Sequence, residues 1–152
     1  YNVSDSPEIL VLNGPNLNML GVREPDIYGY ETLADIEDLC NDRARSLGLT
    51  IDFRQSNFEG ELVTIIQKSR DTTAGIIING AGYTHTSVAI LDALRISELP
   101  VIELHLSNIH AREAFRHKSY IAQAAAGIIC GFGAHGYVLA IDAMARLIEC
   151  AD

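Results

Sequence analysis

Polar side chains that could hold a ligand stand at the ends of three apolar runs in this sequence. The runs at residues 9–12, 75–78 and 101–106 have the length and composition of buried strands. Ligands of open α/β sheets bind beyond the carboxyl ends of the strands. Strand termination alone explains any single asparagine there, but polar groups at three ends indicate a site. They are Asn13 and Asn16, then Asn79 and His85, then His105, Ser107 and Asn108.

A long segment, residues 14–30, follows the first of these runs, and we expect it to have no regular secondary structure. It carries Arg23 and Tyr28 between the glycines Gly21 and Gly29. Long loops in compact domains are often lids over active sites, and flanking glycines allow such a loop to open and close. The alternative is a surface loop with an incidental tyrosine. We expect a lid.

The charge of the sequence limits the class of ligand. Twenty acidic against 11 basic residues give a formal net charge of -9, which argues against nucleic acid as a partner. One short stretch is cationic, because residues 110–118 (HAREAFRHK) contain three fixed positive charges, two histidines and one acid. A cationic spot on an acidic protein suits a small anion better than a polyanion.

Neither a metal site nor a dinucleotide site is indicated. The i, i+4 spacing of zinc-binding helices, and a thiol partner, are missing among His105, His110, His117 and His135. Residues 131–136 read GFGAHG, which matches G-x-G-x-x-G in letters. No predicted strand follows to complete a nucleotide-binding unit, so we expect a tight turn there. We therefore expect no metal and no cofactor.

Cysteine usage and hydropathy favour a cytoplasmic location. Cys40, Cys130 and Cys150 are odd in number and far apart, which indicates neither a disulfide framework nor a zinc knuckle. No apolar run approaches the 18 residues that suggest a membrane-spanning helix. The sequence also has no signal-peptide pattern. We expect reduced thiols and no association with a membrane.

Strand-like and helical patterns alternate along the rest of the sequence. Helices are predicted at residues 32–47, 59–69, 86–96, 111–120 and 137–150, and further strands at 49–54 and 127–130. Thr32 with Asp35 resembles a capping box at the start of the first helix, and Gly48 suits the position after its end. In the last helix we expect an apolar stripe of Leu139, Ala143 and Leu147.

Five strands alternating with helices predict the fold class. They indicate an α/β protein with a flavodoxin-like, doubly wound, five-stranded parallel sheet of strand order 2-1-3-4-5. This order brings the carboxyl ends of the first, third and fourth strands together. We expect the polar groups described above to meet at that rim.

Three sequence blocks resemble one enzyme family. The blocks are NGPNLNMLGVREPDIYG at residues 13–29, NGAGYTHTSVAILDAL at 79–94 and ELHLSNIHAREAFRHKSY at 103–120. In this order they resemble the signature blocks of type II dehydroquinases, and the resemblance runs from about Ile9 to the carboxyl end. One departure is Gly80-Ala81-Gly82, where many members have a proline after the asparagine. We expect a loose extension at residues 1–8 and a single catalytic domain at residues 9–152.

The resemblance implies anti elimination of water from 3-dehydroquinate to give 3-dehydroshikimate through an enolate. Tyr28 matches the family's base. Tyrosine is a poor base at neutral pH because its reference pKa is about 10, and a neighbouring cation favours the phenolate. Arg23 is similar to the family's lid arginine, and Arg112 is a second possible source of positive potential.

Two further catalytic roles follow from the same resemblance. His105 matches the family's acid, which protonates the leaving hydroxyl, and imidazole suits this role because it titrates near neutral pH. Glu103 stands two residues earlier on the same strand, so it points to the same side and could orient the ring. Asn16 resembles the residue that holds a water against the enolate oxygen.

Substrate contacts and assembly are also implied by the resemblance. The family forms trimers, four of which make a homododecamer, so one site can include a residue of a neighbouring subunit. The residues implied are Asn79, Leu106 and Ser107 for the carboxylate, His85 and Arg116 for the ring hydroxyls, and Asp92 for a neighbouring subunit's site.

A flavodoxin-like binding or signalling module is the alternative from another class. A receiver domain would carry a phosphorylatable aspartate at the end of the third strand, where this chain has Asn79. A flavodoxin would have a hydroxyl-rich phosphate loop where residues 13–17 read NGPNL. A Schiff-base route to the same dehydration would need a lysine at the rim. The two lysines, Lys68 and Lys118, do not stand at strand ends.

Overall fold

A five-stranded parallel sheet forms the centre of the protein. The computed structural model describes residues 6–22, 24–28 and 30–150, with only the backbone for residues 25, 28 and 150. The strands pair in the order β2-β1-β3-β4-β5, which confirms the predicted flavodoxin-like α/β fold. They are β1 (Glu8–Asn13), β2 (Thr50–Gln55), β3 (Gly75–Asn79), β4 (Val101–His105) and β5 (Gly127–Cys130).

Helices cover both faces of the sheet. Alternate residues of a strand point to opposite faces. Ile9 and Val11 therefore pack with the helices on one face, and Leu10 and Leu12 pack with the helices on the other. In the part of the chain that the structure describes, no helix is both long and apolar enough to span a membrane. The helices are α1 (Pro25–Tyr28), α2 (Leu33–Ser46), α3 (Glu59–Ser69), α4 (Val88–Ser97) and α5 (His135–Cys150).

Local hydrogen bonds set the ends of α2 and α4. The predicted capping box of α2 is confirmed: Thr32 Oγ1 accepts from the Asp35 N–H at 3.1 Å, and Asp35 Oδ2 accepts from the Thr32 N–H at 3.0 Å. Hydrogen bonding to the Thr32 backbone N–H, and then to the Thr32 side chain, lowers the pKa of the Asp35 carboxyl below its usual value. Gly48 adopts a φ of 74° after the helix, as expected of its position. Helix α4 begins two residues later than predicted because the Ser87 side chain caps it.

The predicted helix at residues 111–120 is wrong. Its apolar residues Ala111, Ala114 and Phe115 are all exposed, so the segment has no apolar side to bury in the core. The backbone is extended at Arg112 and Glu113, which separates two short turns. The turns that replace the helix are the 3-10 turns Ile109–Ala111 and Ala114–Arg116.

The segment at residues 14–30 was expected to be structureless, and this prediction is wrong as well. It contains a 3-10 turn at Leu17–Met19 and the single-turn helix α1. Leu17 and Leu20 are each only 6% exposed and join the core, which anchors the start of the segment. Proline is favoured at the first position of a helix, as in α1. The predicted lid residues Arg23 and Gly29 lie outside the described residues.

The apolar stripe predicted for α5 is right only at Leu147, which packs against the core, whereas Leu139 and Ala143 lie outside the buried face. Apolar residues occupy more than half of its circumference, so periodicity alone does not select the buried face. The face that packs on the sheet begins with a tyrosine. The buried residues are Tyr137, Ala140, Ile141 and Met144, whereas Leu139 and Leu147 are half-buried and Ala143 is exposed.

Candidate active site

A cavity of about 200 Å³ opens at the carboxyl ends of β1, β3 and β4. The position is the one that the strand order predicts. Part of its lining is apolar and includes Leu17 and Ile109, which belong to the core. The predicted site residues that line the cavity are Asn16, Asn79, His85, His105, Leu106, Ser107, Arg112 and Arg116.

The ends of β1 and β3 approach closely at Gly14. Its N–H donates to the Asn79 carbonyl at 2.8 Å. A Cβ at this position would lie 2.5 Å from the Gly80 carbonyl oxygen, so a larger residue would force the backbone apart. Asn13 and Asn79 are paired in register on the two strands. Their side chains therefore lie on the same face of the sheet, and Asn79 lines the cavity.

A buried carboxylate fixes the ring of His105. Glu103 is completely buried, and its Oε2 lies 2.6 Å from His105 Nε2. Its other oxygen, Oε1, accepts a hydrogen bond from Ser119 Oγ at 2.7 Å. Because an ionised carboxylate only accepts hydrogen bonds, the hydrogen of this contact belongs to Nε2. Nδ1 is then the ring nitrogen of His105 that is available to a ligand.

His85 is held in the opposite tautomer. Its Nδ1 lies 2.7 Å from the Lys118 carbonyl oxygen, which only accepts, so Nδ1 carries the hydrogen. Nε2 is then an acceptor for a ligand. Partial burial lowers the pKa of His85, and the nearby His105 and Arg116 add to this effect, although the bond to Lys118 opposes it. The His85 and His105 rings stack with centroids 6.2 Å apart.

Two largely buried arginines bring positive charge to the cavity. Arg112 and Arg116 have side-chain exposures of 16% and 20%. Arg112 Nη1 donates to Ser107 Oγ at 3.2 Å, and Arg116 Nε donates to the Glu113 carboxylate at 2.7 Å. A bond from its own backbone N–H, and then the bond from Arg116, lower the pKa of Glu113. Two of the three fixed positive charges in the cationic stretch therefore line the cavity.

Asn16 is positioned by a residue that the sequence did not indicate. It adopts a φ of 70°, a left-handed conformation that asparagine tolerates better than most residues. Its N–H donates to Asn57 Oδ1 at 3.0 Å. Gln55 at the end of β2 donates to the same oxygen at 3.2 Å. The neighbouring strand thus supports the Asn16 backbone.

The glycine-rich turn at residues 131–136 supports the site from behind. Gly131 and Gly133 have φ values of 97° and 60°, which confirms the predicted tight turn. The Gly131 N–H donates to the His105 carbonyl at 3.3 Å, and the Gly133 N–H donates to the Leu106 carbonyl at 3.0 Å. These bonds hold the backbone that follows β4.

Sequence reasoning missed two further supporting residues, Tyr137 and Ser119. Tyr137 is completely buried, and its hydroxyl donates to Asn13 Oδ1 at 2.7 Å and accepts from Asn79 Nδ2 at 3.1 Å. A tyrosine on the apolar face of α5 could have signalled this, since a buried hydroxyl needs a partner. Nothing in the local sequence around Ser119 marks its contact with Glu103.

Among the described residues, Asn13, Asn108 and Asp92 were predicted at the site but do not line the cavity. Asp92 is exposed on α4. Arg23 and the side chain of Tyr28 lie outside the described residues. Their neighbours Glu24 and Ile27 nevertheless line a shallow cleft with the cavity arginines Arg112 and Arg116. The segment that carries the predicted base thus lies beside the cavity.

Neither of the two described thiols, Cys40 and Cys130, lines the cavity. Cys40 and Cys130 are free, and burial raises the pKa of the Cys40 thiol to about 12, which makes it unreactive. The side chain of Cys150 is not among those described. Across the described ranges, no three His, Cys, Asp or Glu side chains come together as a group that could hold a metal ion.

Comparisons with known proteins agree on one family. The family model "Dehydroquinase class II" matches residues 7–145. The chain is 60% identical over 139 residues to a 3-dehydroquinate dehydratase of Methylobacterium radiotolerans, covering 91% of this chain and 93% of that protein. It is 59% identical over 143 residues to 3-dehydroquinate dehydratase 2 of Pseudomonas putida, covering 94% and 96%.

A solved structure shows the same fold. The crystal structure of the type II dehydroquinase from Butyrivibrio crossotus superimposes with a TM-score of 0.89 and 43% sequence identity. The match covers 91% of this chain and 97% of that one. The fold and the sequence therefore lead to the same relatives.

Proposed function

Since the chain belongs to the class II dehydroquinase family, we propose that it removes water from 3-dehydroquinate by anti elimination through an enolate and forms 3-dehydroshikimate. The observation that carries this proposal is the cavity at the carboxyl ends of β1, β3 and β4, which combines two histidines, two arginines and two asparagines. A polyhydroxy carboxylic acid offers an anion and several hydroxyls to such groups. The names of the relatives point to the same substrate.

The substrate carboxylate would lie between β3 and the end of β4. There Asn79, the Leu106–Ser107 backbone and the Ser107 hydroxyl offer hydrogen bonds. Arg112 contacts Ser107 Oγ at 3.2 Å, so its charge supports an anion at this position. His85, with Nε2 as acceptor, and Arg116, as donor, would take the ring hydroxyls.

His105 would act as the general acid. Its Nε2 is occupied by Glu103, so a proton for the leaving hydroxyl would come from Nδ1. The buried carboxylate stabilises the imidazolium form that must exist before the transfer. Once the proton has been given, the neutral ring keeps the tautomer that Glu103 imposes. Glu103 thus acts through His105 and does not touch the substrate.

Tyr28 and Asn16 would form and stabilise the enolate. Tyr28 would remove the proton beside the ketone, and Arg23 would favour its phenolate. Asn16 would hold a water against the developing enolate oxygen, and a preorganised donor of this kind typically contributes about 10²–10³-fold in rate. The cleft that Glu24 and Ile27 share with Arg112 and Arg116 supports a lid that closes over this side.

We further propose that residues 9–152 act as one catalytic domain in a cytoplasmic homododecamer, a tetramer of trimers. Free thiols at Cys40 and Cys130 suit a reducing compartment. Asp92 is exposed on α4 and would reach the site of a neighbouring subunit. Light scattering should give a mass near twelve chains. A monomer with full activity at nanomolar concentration would contradict the shared site.

The experiment that tests the proposal follows the conjugated enone of the product by its ultraviolet absorbance. Chelated and dialysed protein is mixed with 3-dehydroquinate, and a parallel sample receives borohydride. We expect absorbance to rise at the rate of untreated protein, and mass spectrometry should find no lysine adduct. Activity that returns only with added metal, or a trapped adduct, would contradict the mechanism.

A further inference from the structure

Three buried polar side chains connect the cavity to strand β2, which lies on the other side of β1. Asn13 and Asn79 lie side by side on β1 and β3 and are 0% and 3% exposed. The completely buried Tyr137 of α5 lies against both. Its hydroxyl donates to Asn13 Oδ1 at 2.7 Å and accepts from Asn79 Nδ2 at 3.1 Å. We call these three residues the Asn13–Tyr137–Asn79 network.

Backbone groups fix the direction of the hydrogen bonds at both ends of the network. Asn13 Nδ2 donates to the Arg54 carbonyl at 3.0 Å, and a carbonyl can only accept. Asn79 Oδ1 accepts from the Ala81 N–H at 3.3 Å, and an N–H can only donate. The hydroxyl between the two amides must therefore donate to Asn13 and accept from Asn79.

The hydroxyl of Tyr137 keeps its proton under all ordinary conditions. Complete burial raises the pKa of Tyr137 far above its usual value, although the bond from Asn79 opposes this. A flipped Asn79 amide would face Tyr137 with its oxygen and Ala81 with its NH₂ group. That orientation would break both of its present bonds and leave two amide oxygens, those of Asn13 and Asn79, facing the single hydroxyl hydrogen of Tyr137. Burial makes such losses costly.

The orientation of Asn79 decides what it offers to the cavity. One N–H of Nδ2 is used by Tyr137, and the second is left for a ligand in the cavity that Asn79 lines. An N–H attracts a carboxylate, whereas a carbonyl oxygen in its place would repel it. The network thus links a backbone carbonyl of β2 to the polarity of the carboxylate subsite.

We propose that Tyr137 is a positioning residue that holds the Asn79 amide with its N–H towards the substrate carboxylate. This inference rests on the proposed function, in which Asn79 binds that carboxylate. Tyr137 itself does not touch the substrate. Its loss should weaken binding of the carboxylate and leave the chemical step nearly unchanged.

The test compares Tyr137→Phe, Asn79→Ala and wild type. We expect Tyr137→Phe to raise KM for 3-dehydroquinate and the inhibition constant of 3-dehydroshikimate by roughly tenfold, in line with the loss of a hydrogen bond to a charged group. The kcat should change much less, and the pH profile of kcat should keep its shape. In ¹⁵N-labelled protein, the side-chain amide resonances of Asn79 should shift. Asn79→Ala should raise KM by at least as much.

Tyr120→Phe is the matched control. This tyrosine is half-buried, and its ring lies under the Lys118 ammonium; its hydroxyl has no hydrogen bond to any of the described residues. Its removal should leave KM and the Asn79 resonances as in wild type. If Tyr137→Phe does not fold, Asn13→Leu removes the acceptor of the hydroxyl instead. The same rise in KM and the same shift are then expected.

Failure of the network and failure of the proposed function give different results. A Tyr137→Phe protein with lowered thermal stability but wild-type KM and wild-type Asn79 resonances overturns the network. If Asn79→Ala leaves KM unchanged, Asn79 does not bind the substrate and that part of the proposed function is wrong. In that case the Asn79 resonances still decide whether Tyr137 orients the amide.

Discussion

Nε2 of His105 lies 2.6 Å from Oε2 of Glu103, and the two side chains are only 5% and 0% exposed. A carboxylate so deeply buried must be compensated by hydrogen bonds. His105 and Ser119 supply one to each oxygen. The ring is thereby fixed in one tautomer, with Nδ1 available at the cavity. The arrangement suits a histidine that must receive and give a proton at a single nitrogen.

Glu103→Gln should reduce turnover through its effect on His105. The amide removes the negative charge that favours the imidazolium, and it can face Nε2 with either its oxygen or its NH₂ group. The comparable change of a histidine-orienting aspartate in serine proteases costs about 10⁴-fold in kcat. We expect kcat to fall by roughly 10²-fold or more, with KM nearly constant. Steady-state kinetics measure this, and a kcat within threefold of wild type would exclude an orienting role.

Ser119→Ala should give a smaller effect of the same kind. It removes the hydrogen bond to Glu103 Oε1 but leaves the contact with His105. We expect kcat to fall by about tenfold, as for the loss of one hydrogen bond to a charged group. Ser119→Thr keeps the hydroxyl and should restore most of the activity. Equal kcat values for the alanine and threonine variants would show that the hydroxyl is irrelevant.

The lowered pKa of His85 predicts a pH dependence of binding. Nε2 accepts a substrate hydroxyl only in the neutral ring. KM should therefore be constant at neutral pH and rise only when the pH falls below this pKa, which lies under the ordinary value of 6.5. His85→Asn retains a donor for the Lys118 carbonyl and does not titrate. Its KM should be higher at neutral pH but flat at acid pH, and a wild-type-like acid rise in this variant would assign the titration elsewhere.

The lowered pKa of His85 also makes the free energy of unfolding depend on pH. Because the pKa is lower in the folded than in the unfolded protein, the unfolded state binds more protons below pH 6.5. The contribution of His85 to the free energy of unfolding is therefore present above pH 6.5 and decreases as the pH falls towards the folded-state pKa. Urea unfolding of wild type and His85→Asn across this range separates this contribution from those of other groups.

The proposed role of Arg23 in the lid predicts a kcat that recovers as the pH rises. In the proposed mechanism Arg23 favours the phenolate of Tyr28, so Arg23→Ala should lower kcat. Activity should partly return as the pH rises, because hydroxide then ionises the tyrosine. The kcat of Arg23→Lys should lie between those of Arg23→Ala and wild type, since lysine restores the charge but not the planar guanidinium. If the pH–rate profile of Arg23→Ala has the same acidic and basic limbs as that of wild type, Arg23 only positions the substrate.

Local patterns in the sequence predict much of the fold. The alternation of apolar runs and helical periodicity yields the strand order, and Thr32 with Asp35 marks the start of α2 by contacts only three residues apart. Polar residues at strand ends identify most of the cavity lining, because parallel strands end at a common rim. These signals are short-range or follow from topology.

The errors arise where tertiary packing overrides local pattern. Residues 111–120 have helical spacing, but their apolar residues are exposed and do not pack against the core, so turns form instead of a helix. The contact between Tyr137 and Asn13 spans 124 residues, and that between Ser119 and Glu103 spans 16. No local spacing reveals such pairs. The choice of the buried side of α5 fails for a similar reason, because only packing on the sheet selects it.

The most direct test of the account compares His105→Ala with His110→Ala in the enone absorbance assay. His110 is an exposed histidine whose ring lies 5.9 Å from that of His117, away from the cavity lining, so it controls for the loss of an imidazole. We predict that His110→Ala turns over 3-dehydroquinate like wild type. His105→Ala should bind substrate with a similar KM but lose roughly 10²–10⁴-fold in kcat. A His105→Ala protein with wild-type turnover, or a wild-type protein that produces no enone, would contradict the account.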